Sequence, residues 1–274
     1  MIPYFTLPVW QLGGVPVDPW GLLVCGGFVL GLEIARARGI RLGLDVRDIV
    51  DGSVFIVLMG FVGGHLVHVL AYHPEIYARD GVMSLVRIWE GFSSMGGFLG
   101  AVAGAVLFFR LIRPRPFWAH ADTIMFGFPF AWIFGRAGCF VVHDHIGRRT
   151  EFPLAVAFPG GARHDLGLYE TLLAAVIAGL FLALARRPRA AGFYTTVWCL
   201  VYAPVRFGFD FLRNTDLKNA DVRWHGLTPA QWGTMLLFTA GVILALRWRT
   251  LAGGVAGGGE PPAEDGSSET ASPA

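Results

Sequence analysis

Residues 119–141 read AHADTIMFGFPFAWIFGRAGCFV, a nearly uninterrupted apolar run that is long enough to cross a lipid bilayer. Spanning the hydrocarbon core as an α-helix takes about 20 mostly apolar residues. Six further stretches have the same character, at 18–36, 49–72, 92–112, 167–185, 192–212 and 228–248. The sequence therefore predicts an all-α polytopic membrane protein with seven transmembrane helices.

The composition of the chain agrees with this prediction. Of its 274 residues, 54% are hydrophobic and 15% are charged, whereas a soluble domain has about 25% charged residues. The formal net charge of +2 offers no strongly basic surface, so no nucleic-acid partner is expected. The cysteines form neither a CxxC motif nor a close pair, which argues against a disulfide framework or a thiolate metal site; they are Cys25, Cys139 and Cys199.

The arginines at the ends of the predicted helices indicate their orientation. Connections that carry an excess of arginine stay on the cytoplasmic side of a membrane. We therefore expect the N-terminus outside and the C-terminus inside, with small loop regions on the outer side. The arginines that decide this orientation are Arg36, Arg38, Arg41, Arg47, Arg110, Arg113, Arg115, Arg186, Arg187, Arg189, Arg247 and Arg249.

The last part of the chain differs sharply in composition from the rest. Residues 253–274 read GGVAGGGEPPAEDGSSETASPA, with four acids and no bases. Such a segment has too few bulky apolar side chains to offset the entropy cost of ordering it. We expect one membrane domain over residues 1–252, followed by a disordered acidic cytoplasmic tail.

Some predicted helices contain ionisable side chains, which are costly in a bilayer and usually mark a partner or a pathway. Arg206 and Asp210 lie one helical turn apart, either as a structural pair or as part of a site. His65 and His68 share a helix face, and for them we expect satisfied polar packing against neighbouring helices.

Two arginines are expected to meet near the outer headgroup plane. Arg136 lies near the outer end of the fourth predicted helix, and Arg206 approaches the same level from the sixth. Gly135 and Gly138 flank Arg136 and leave room for another backbone or a lipid headgroup. Guanidinium groups bind phosphate bidentately, so the pattern favours recognition of a phospholipid phosphate over simple snorkelling.

Histidines follow directly after this arginine. His143 and His145 bracket Asp144, and His164 precedes the fifth predicted helix. An imidazole with a neighbouring carboxylate is what a general base requires. Three histidines and a carboxylate could also bind zinc, but the spacing matches no zinc signature. We therefore expect proton transfer at these residues, with no metal and no cofactor.

Several of these motifs resemble the prolipoprotein diacylglyceryl transferase family of seven-span enzymes in the bacterial inner (cytoplasmic) membrane. The resemblance runs from Pro19-Trp20-Gly21 through the last predicted helix, and its strongest match is Gly135-Arg136-x-Gly138-x-Phe140. The further matches are Gly96-Gly97, Pro153 with Phe158-Pro159-Gly160, Arg163-His164, Leu168-Tyr169-Glu170, Tyr202-x-x-x-Arg206-Phe207, Asp210 and Arg213.

The chain also departs from the family pattern. The family usually has histidine at the position of Met95, and this histidine is often assigned as the base. We therefore expect His143 or His145 to handle the proton instead. The other departures are Trp20 for Tyr, Cys139 for Asn, Val142 for Asn, His143 for Gly, Asp144 for Glu, and Asp165-Leu166-Gly167 for Pro-Ser/Thr-Gln.

The resemblance implies an enzyme that moves the diacylglyceryl group of phosphatidylglycerol to the lipobox cysteine thiol of a prolipoprotein, releasing glycerol 1-phosphate. Its expected partners are phosphatidylglycerol, the lipobox peptide and membrane lipids. Two alternatives remain open: a lipid-binding or transport protein on the same scaffold, and a transferase for another acceptor thiol or lipid donor. From spacing, membrane depth and the family pattern together, we expect His143, Asp144, His145, His164 and Arg206 to be catalytic, with one of the three histidines as the base. The expected substrate-binding residues are Arg136, Gly138, Tyr202 and Asp210.

Overall fold

The computed structural model describes residues 1–217 and 223–255, and most of these residues are helical. Their α-helices are α1 Pro19–Arg41, α2 Val46–Val67, α3 Pro74–Asp80, α4 Ser94–Leu107, α5 Phe117–Val142, α6 Leu166–Leu184, α7 Phe193–Phe209 and α8 Pro229–Val255. Helices α2 and α4 continue without a break into short π-helical turns that end at Tyr72 and Ile112.

Six helices in the described part of the chain are long and apolar enough to cross a membrane, and the chain is a multi-pass membrane protein. They are Pro19–Arg41, Val46–Tyr72, Ser94–Ile112, Phe117–Val142, Leu166–Leu184 and Pro229–Arg247. The predicted stretch 192–212 corresponds to α7, which has only 17 residues. A 3₁₀ turn over Asp210–Leu212 extends it.

Polar contacts fix both ends of α7 against its neighbours. Near its first turn, the amide and hydroxyl of Thr195 donate to Oδ1 of the buried Asp122 on α5, at 2.7 and 2.9 Å. Near its last turn, Arg206 pairs with Glu170, which lies close to the start of α6. Helix α7 therefore runs parallel to α5 and antiparallel to α6.

Small residues let the helix pairs approach closely, as is common for helices that pack in a membrane. Helices α1 and α5 touch where a Cβ atom on Gly31 would lie 2.9 Å from Cβ of Ala131. Helices α2 and α4 touch where a Cβ atom on Gly63 would lie 2.7 Å from Cα of Gly100. A larger side chain at either glycine would force the two helices apart.

A small β-sheet makes the fold mostly rather than entirely helical, which corrects the all-α expectation. Strands β1 Ile2–Pro3, β4 Ile146–Arg149, β5 Val156–Phe158 and β6 Gly161–Asp165 form one sheet in the order β1-β5-β6-β4. A separate hairpin pairs β2 Trp10–Leu12 with β3 Val15–Val17. Because β4 follows α5 and β6 leads directly into α6, the sheet fixes the ends of these two helices relative to each other.

The predicted acidic tail lies almost entirely outside the described residues. Helix α8 ends at Val255, three residues beyond the predicted boundary at 252.

Candidate active site

Glu170 is fully buried near the start of α6 and lies between two arginines from neighbouring helices. Its Oε2 atom lies 3.0 Å from Nε of Arg136 on α5, and its Oε1 atom lies 3.1 Å from Nε of Arg206 on α7. The hydroxyl of Tyr202 donates to Oε2 at 2.8 Å. The two arginines thus meet, as the sequence predicted, at a carboxylate to which the sequence assigned no role.

Asp210 adds a second carboxylate beside Arg206. Arg206 donates to its Oδ1 atom, and the hydroxyl of Thr228 donates to its Oδ2 atom. Nη1 of Arg213 lies 4.0 Å from Oδ1. We call Arg136, Glu170, Arg206, Asp210 and Arg213 the ionic cluster. It contains three guanidinium groups and two carboxylates, which is a formal excess of one positive charge.

Two arginines of the cluster, Arg136 and Arg206, are held inside the protein and do not snorkel to its surface. Arg136 and Arg206 are each 6% exposed. Burying a charge is costly unless it is paired, and the shared carboxylate provides that pairing. Among the described residues, Nε of Arg136 and Oε1 of Glu170 still lack a hydrogen bond of good geometry. The cluster therefore keeps unused hydrogen-bonding capacity.

One terminal nitrogen of the Arg136 guanidinium faces a histidine and a cysteine. Its Nη1 atom lies 3.4 Å from Nε2 of His145 and 3.7 Å from Sγ of Cys139. The group also lies over the ring of Trp132, 4.6 Å from the ring centre. Gly138 was expected to admit a backbone or a headgroup; a Cβ atom there would lie 3.1 Å from the ring of Trp20, so this glycine admits α1.

His145 and Asp144 form a histidine–carboxylate pair at the edge of the cluster. Nδ1 of His145 bonds to Oδ1 of Asp144, and both side chains are partly exposed, at 23% and 40%. Because a guanidinium can only donate hydrogen bonds, Nε2 of His145 accepts from Arg136 and Nδ1 carries the proton. The arrangement leaves one basic nitrogen directed at the cluster and a carboxylate behind the ring.

His143 has a different environment from the one predicted. Its Nδ1 atom lies 2.7 Å from Oδ2 of Asp165, and its Nε2 atom donates to the backbone carbonyl of Phe5 at 3.1 Å. Aromatic rings surround it, including Tyr4 at 5.2 Å and Phe158 at 5.1 Å between ring centres. Since both ring nitrogens are engaged, His143 anchors the N-terminal segment to the sheet and has no nitrogen available for a substrate proton.

The pKa values of the two sheet residues Asp165 and His164 are shifted in opposite directions by their surroundings. Burial raises the pKa of Asp165, although the hydrogen bond from His143 opposes this shift. Burial lowers the pKa of His164, and the positive charge of Arg148 lowers it further. His164 is therefore held as a neutral imidazole near pH 7.

His164 lies beside the ionic cluster rather than in it. Its Nδ1 atom lies 2.8 Å from the hydroxyl of Tyr169. Both residues line an apolar groove of about 430 Å³ along α6, together with Phe152, Leu172, Leu173, Val176, Phe209 and Leu212. The structure thus separates the predicted histidines, and only His145 contacts the cluster.

His65 confirms the expectation of satisfied polar packing, although its partners are not on neighbouring helices. Its ring nitrogens bond to the backbone carbonyls of Ser84 at 2.9 Å and Gly91 at 3.1 Å, both in the connection between α3 and α4. The ring of His68 packs against that of His73, with 4.6 Å between ring centres. These contacts hold the connection against α2.

The zinc alternative finds little support in this geometry. The three histidines that it requires have separate partners: Asp165, Asp144 and Tyr169. Ligand atoms of Cys139, Asp144 and His145 do lie within 4.8 Å of one another. However, the Arg136 guanidinium already contacts both the cysteine sulfur and the imidazole, so a metal ion there would meet a fixed positive charge.

The fold and the site together define a class: multi-pass membrane proteins with a buried, positively charged site at one end of the helices. Residues 8–247 match the family model described as prolipoprotein diacylglyceryl transferase. The phosphatidylglycerol–prolipoprotein diacylglyceryl transferase of Pasteurella multocida is 33% identical over 224 residues, which cover 79% of this chain and 82% of the relative.

A second relative extends the match to nearly its whole length. The protein of the same description from Solidesulfovibrio magneticus is 32% identical over 259 residues, which cover 89% of this chain and 95% of the relative. The one from Mannheimia succiniciproducens is 34% identical over 225 residues. The chain belongs to the prolipoprotein diacylglyceryl transferase family, as the resemblance predicted.

Proposed function

We propose that the chain transfers the diacylglyceryl group of phosphatidylglycerol to the lipobox cysteine thiol of a prolipoprotein. In this reaction a carbon–sulfur bond forms, the bond between the glyceryl carbon and the phosphate oxygen breaks, and glycerol 1-phosphate leaves. The observation that carries the proposal is the meeting of Arg136 and Arg206 at Glu170, beside the His145–Asp144 pair.

The ionic cluster would bind the phosphate of the donor lipid. Its formal excess of one positive charge complements the single negative charge of a phosphodiester. When the ester bond breaks, the leaving phosphate gains a second negative charge, and fixed donors in a site of low dielectric stabilise that charge. Glu170, Tyr202 and Asp210 hold the two arginines in place before the lipid arrives, so little reorganisation is needed.

His145 would accept the proton of the acceptor thiol. A free thiol has a pKa near 8.5, so a base is needed to form the nucleophilic thiolate at neutral pH. The Nε2 atom of His145 accepts from Nη1 of Arg136, and binding of the donor phosphate by that nitrogen would free Nε2 for the thiol proton. Asp144, bound to Nδ1, would keep the reactive tautomer and stabilise the imidazolium that forms.

We also propose that the chain crosses the bacterial inner membrane seven times, with the ionic cluster facing the periplasm. Helix α7 contacts Asp122 at one end and Glu170 at the other, which supports a seventh crossing despite its length. The arginine-rich connections lie at the opposite ends of the helices, which supports an N-terminus outside and a C-terminus inside. Residues 1–252 would form the membrane domain and 253–274 its cytoplasmic tail.

The test is a transfer assay with the full chain in phosphatidylglycerol vesicles and a synthetic lipobox peptide. We expect a thioether-linked diacylglyceryl peptide by mass spectrometry and an equal amount of glycerol 1-phosphate. His145→Gln is expected to slow the reaction by a factor of about 10² to 10⁴. His73→Gln, at an exposed histidine bound to Glu75, is the matched control and should leave the rate unchanged.

The same assay decides between this proposal and the lipid-binding alternative. A folded chain that binds phosphatidylglycerol but forms no thioether would refute the transferase. Thioether formation by the wild-type chain, at a rate that His73→Gln leaves unchanged, supports the transferase.

A further inference from the structure

Cys139 lies where a substrate thiol would have to arrive. Its Sγ atom is 3.7 Å from Nη1 of Arg136, and its sulfur and the ligand atoms of Asp144 and His145 lie within 4.8 Å of one another. We propose that Cys139 borders the acceptor-thiol site and is a thiol-exchange site for a bound acceptor peptide. This inference rests on the proposed function and assigns a location to one of its two substrates.

The geometry of proton transfer requires the two sulfur atoms to be close. A general base must come within hydrogen-bond reach of the proton that it removes. An acceptor sulfur in hydrogen-bond reach of the His145 imidazole therefore lies within about 8 Å of Sγ of Cys139, whose sulfur is within 4.8 Å of the histidine ligand atom. To form a disulfide, the flexible peptide must then bring its cysteine Cα atom to about 4.4–6.8 Å from that of Cys139.

The site is also accessible from the protein surface. The side chains of Asp144 and His145 are 40% and 23% exposed and lie at the edge of the cluster. Cys139 itself is 9% exposed, at the inner side of this edge. A small or extended peptide segment that reaches His145 therefore comes to the side chain that Cys139 borders.

The other cysteines lie in different surroundings. Cys199 is buried in the core, where a Cβ atom on the facing Gly241 would lie 2.7 Å from its own Cβ atom. Cys25 is exposed on α1, within a candidate membrane span. Among the described residues, neither cysteine bonds to the histidine–carboxylate pair or to the ionic cluster, so both can be replaced without touching the site.

The exchange reaction needs no added oxidant. The probe is a lipobox peptide whose cysteine is linked through a disulfide to thionitrobenzoate. Sγ of Cys139 loses its proton to His145, attacks the peptide sulfur and forms a new disulfide with it. The old disulfide breaks, and the thionitrobenzoate thiolate leaves with the bonding electron pair as a coloured product.

The experiment uses the full chain in lipid nanodiscs with Cys25→Ser and Cys199→Ser, so that Cys139 is the remaining cysteine. We expect one equivalent of thionitrobenzoate and a peptide adduct that maps to Cys139. Adding Cys139→Ser should abolish the release. Adding His145→Gln should slow it by about tenfold or more, because the thiolate, not the thiol, is the nucleophile. A scrambled peptide with the same activated disulfide should also react about tenfold more slowly, because it lacks the bound position.

A transfer assay on the same preparation separates the two proposals. If the chain transfers lipid to the peptide but releases thionitrobenzoate no faster with the lipobox peptide than with the scrambled one, the role of Cys139 is wrong and the transferase stands. If the adduct forms at Cys139 but no lipid is transferred, the transferase is wrong. An adduct that forms equally fast with His145→Gln also contradicts this inference.

Discussion

Arg136 and Arg206 come from different helices and face the two oxygens of one buried carboxylate, at 3.0 and 3.1 Å. Glu170, which carries that carboxylate, therefore fixes the separation of the two guanidinium groups. An anion that contacts both guanidinium groups would find them already held at a fixed separation. Donors that are fixed in place before the anion binds are what a phosphate site requires. The shared carboxylate also makes the two arginines depend on each other for stability.

Glu170→Gln is expected to destabilise the fold strongly. The substitution keeps the side-chain volume but leaves Arg136 and Arg206 without their common counter-charge. Removing one partner of a buried ion pair typically costs about 3–5 kcal/mol. Unfolding by a denaturing detergent would measure the loss. Glu33→Gln is the control, since Glu33 pairs with Arg36 on the surface, where such pairs contribute about 0–1 kcal/mol. Equal effects of the two substitutions would contradict the central role of Glu170.

Asp144→Asn is expected to reduce kcat while leaving the protein folded. The asparagine cannot stabilise the imidazolium that His145 becomes, and it favours the wrong tautomer. Losing such an orienting carboxylate costs a factor of about 10⁴ in a serine protease, and proton transfer by a positioned base is typically worth about 10²–10⁴. Steady-state transfer kinetics would measure the change.

The control for this prediction is Glu75→Gln. It breaks a similar pair, in which Nδ1 of His73 lies 2.9 Å from Oε1 of Glu75, at an exposed place away from the cluster. The two substitutions should therefore differ in kcat and agree in stability. If Asp144→Asn retained the full rate, His145 would not be the base.

His143→Leu is expected to affect stability rather than proton transfer. It removes the hydrogen bonds to Asp165 and Phe5 and leaves a buried carboxyl group without its partner. Each unsatisfied buried polar group costs about 1–3 kcal/mol. The pH dependence of kcat, measured per folded molecule, should not change. If the acidic limb of the kcat–pH profile shifted or disappeared, His143 would again be a candidate base.

His164 should make the stability depend on pH. Burial and Arg148 hold the pKa of His164 below its usual value of 6.5 in the folded state. The unfolded chain therefore binds more protons as the pH falls below 6.5, and the free energy of unfolding decreases from there down to the folded pKa. One group contributes at most about 1.4 kcal/mol per pH unit.

Detergent unfolding at pH values from 5 to 8, on both sides of the usual histidine pKa of about 6.5, tests that sign. His164→Asn should flatten the pH dependence of the free energy of unfolding, whereas His225→Asn, at an exposed histidine, should preserve it. The opposite result would be a wild-type protein that becomes more stable as the pH falls through this range, with His164→Asn removing the difference. That result would contradict a lowered pKa of His164 in the folded state.

The seven long helices were predictable from sequence because each one is encoded by a continuous apolar run, whereas the short helix α3 was not predicted. The sheet was not, because its strands have two to five residues and pair over long distances, as Ile2 does with Val156. No periodic pattern develops over so few residues. The length of α7 was overestimated since the apolar run continues past Asp210, where the helix changes to a 3₁₀ turn.

The candidate site was predictable where the residue type determined the interaction. Buried arginines need carboxylates, and the sequence placed Arg136 and Arg206 at one level. It paired Arg206 with Asp210 but left Arg136 without a partner, and this missing partner is the signal that could have led to Glu170, to which no role was assigned. The role of His143 could not be inferred, because its partners Asp165 and Phe5 are brought to it only by the folded sheet.

The most direct test of the account compares Arg136→Lys and Arg206→Lys in the transfer assay with phosphatidylglycerol vesicles. Lysine keeps the charge but loses the planar donor fork that binds phosphate bidentately. We expect each variant to lose about 10²-fold or more in rate per folded molecule. Arg163→Lys, at a buried arginine that binds Asp216 outside the cluster, should stay within about threefold of wild type. Rates for both cluster variants as high as that of Arg163→Lys would contradict the phosphate site.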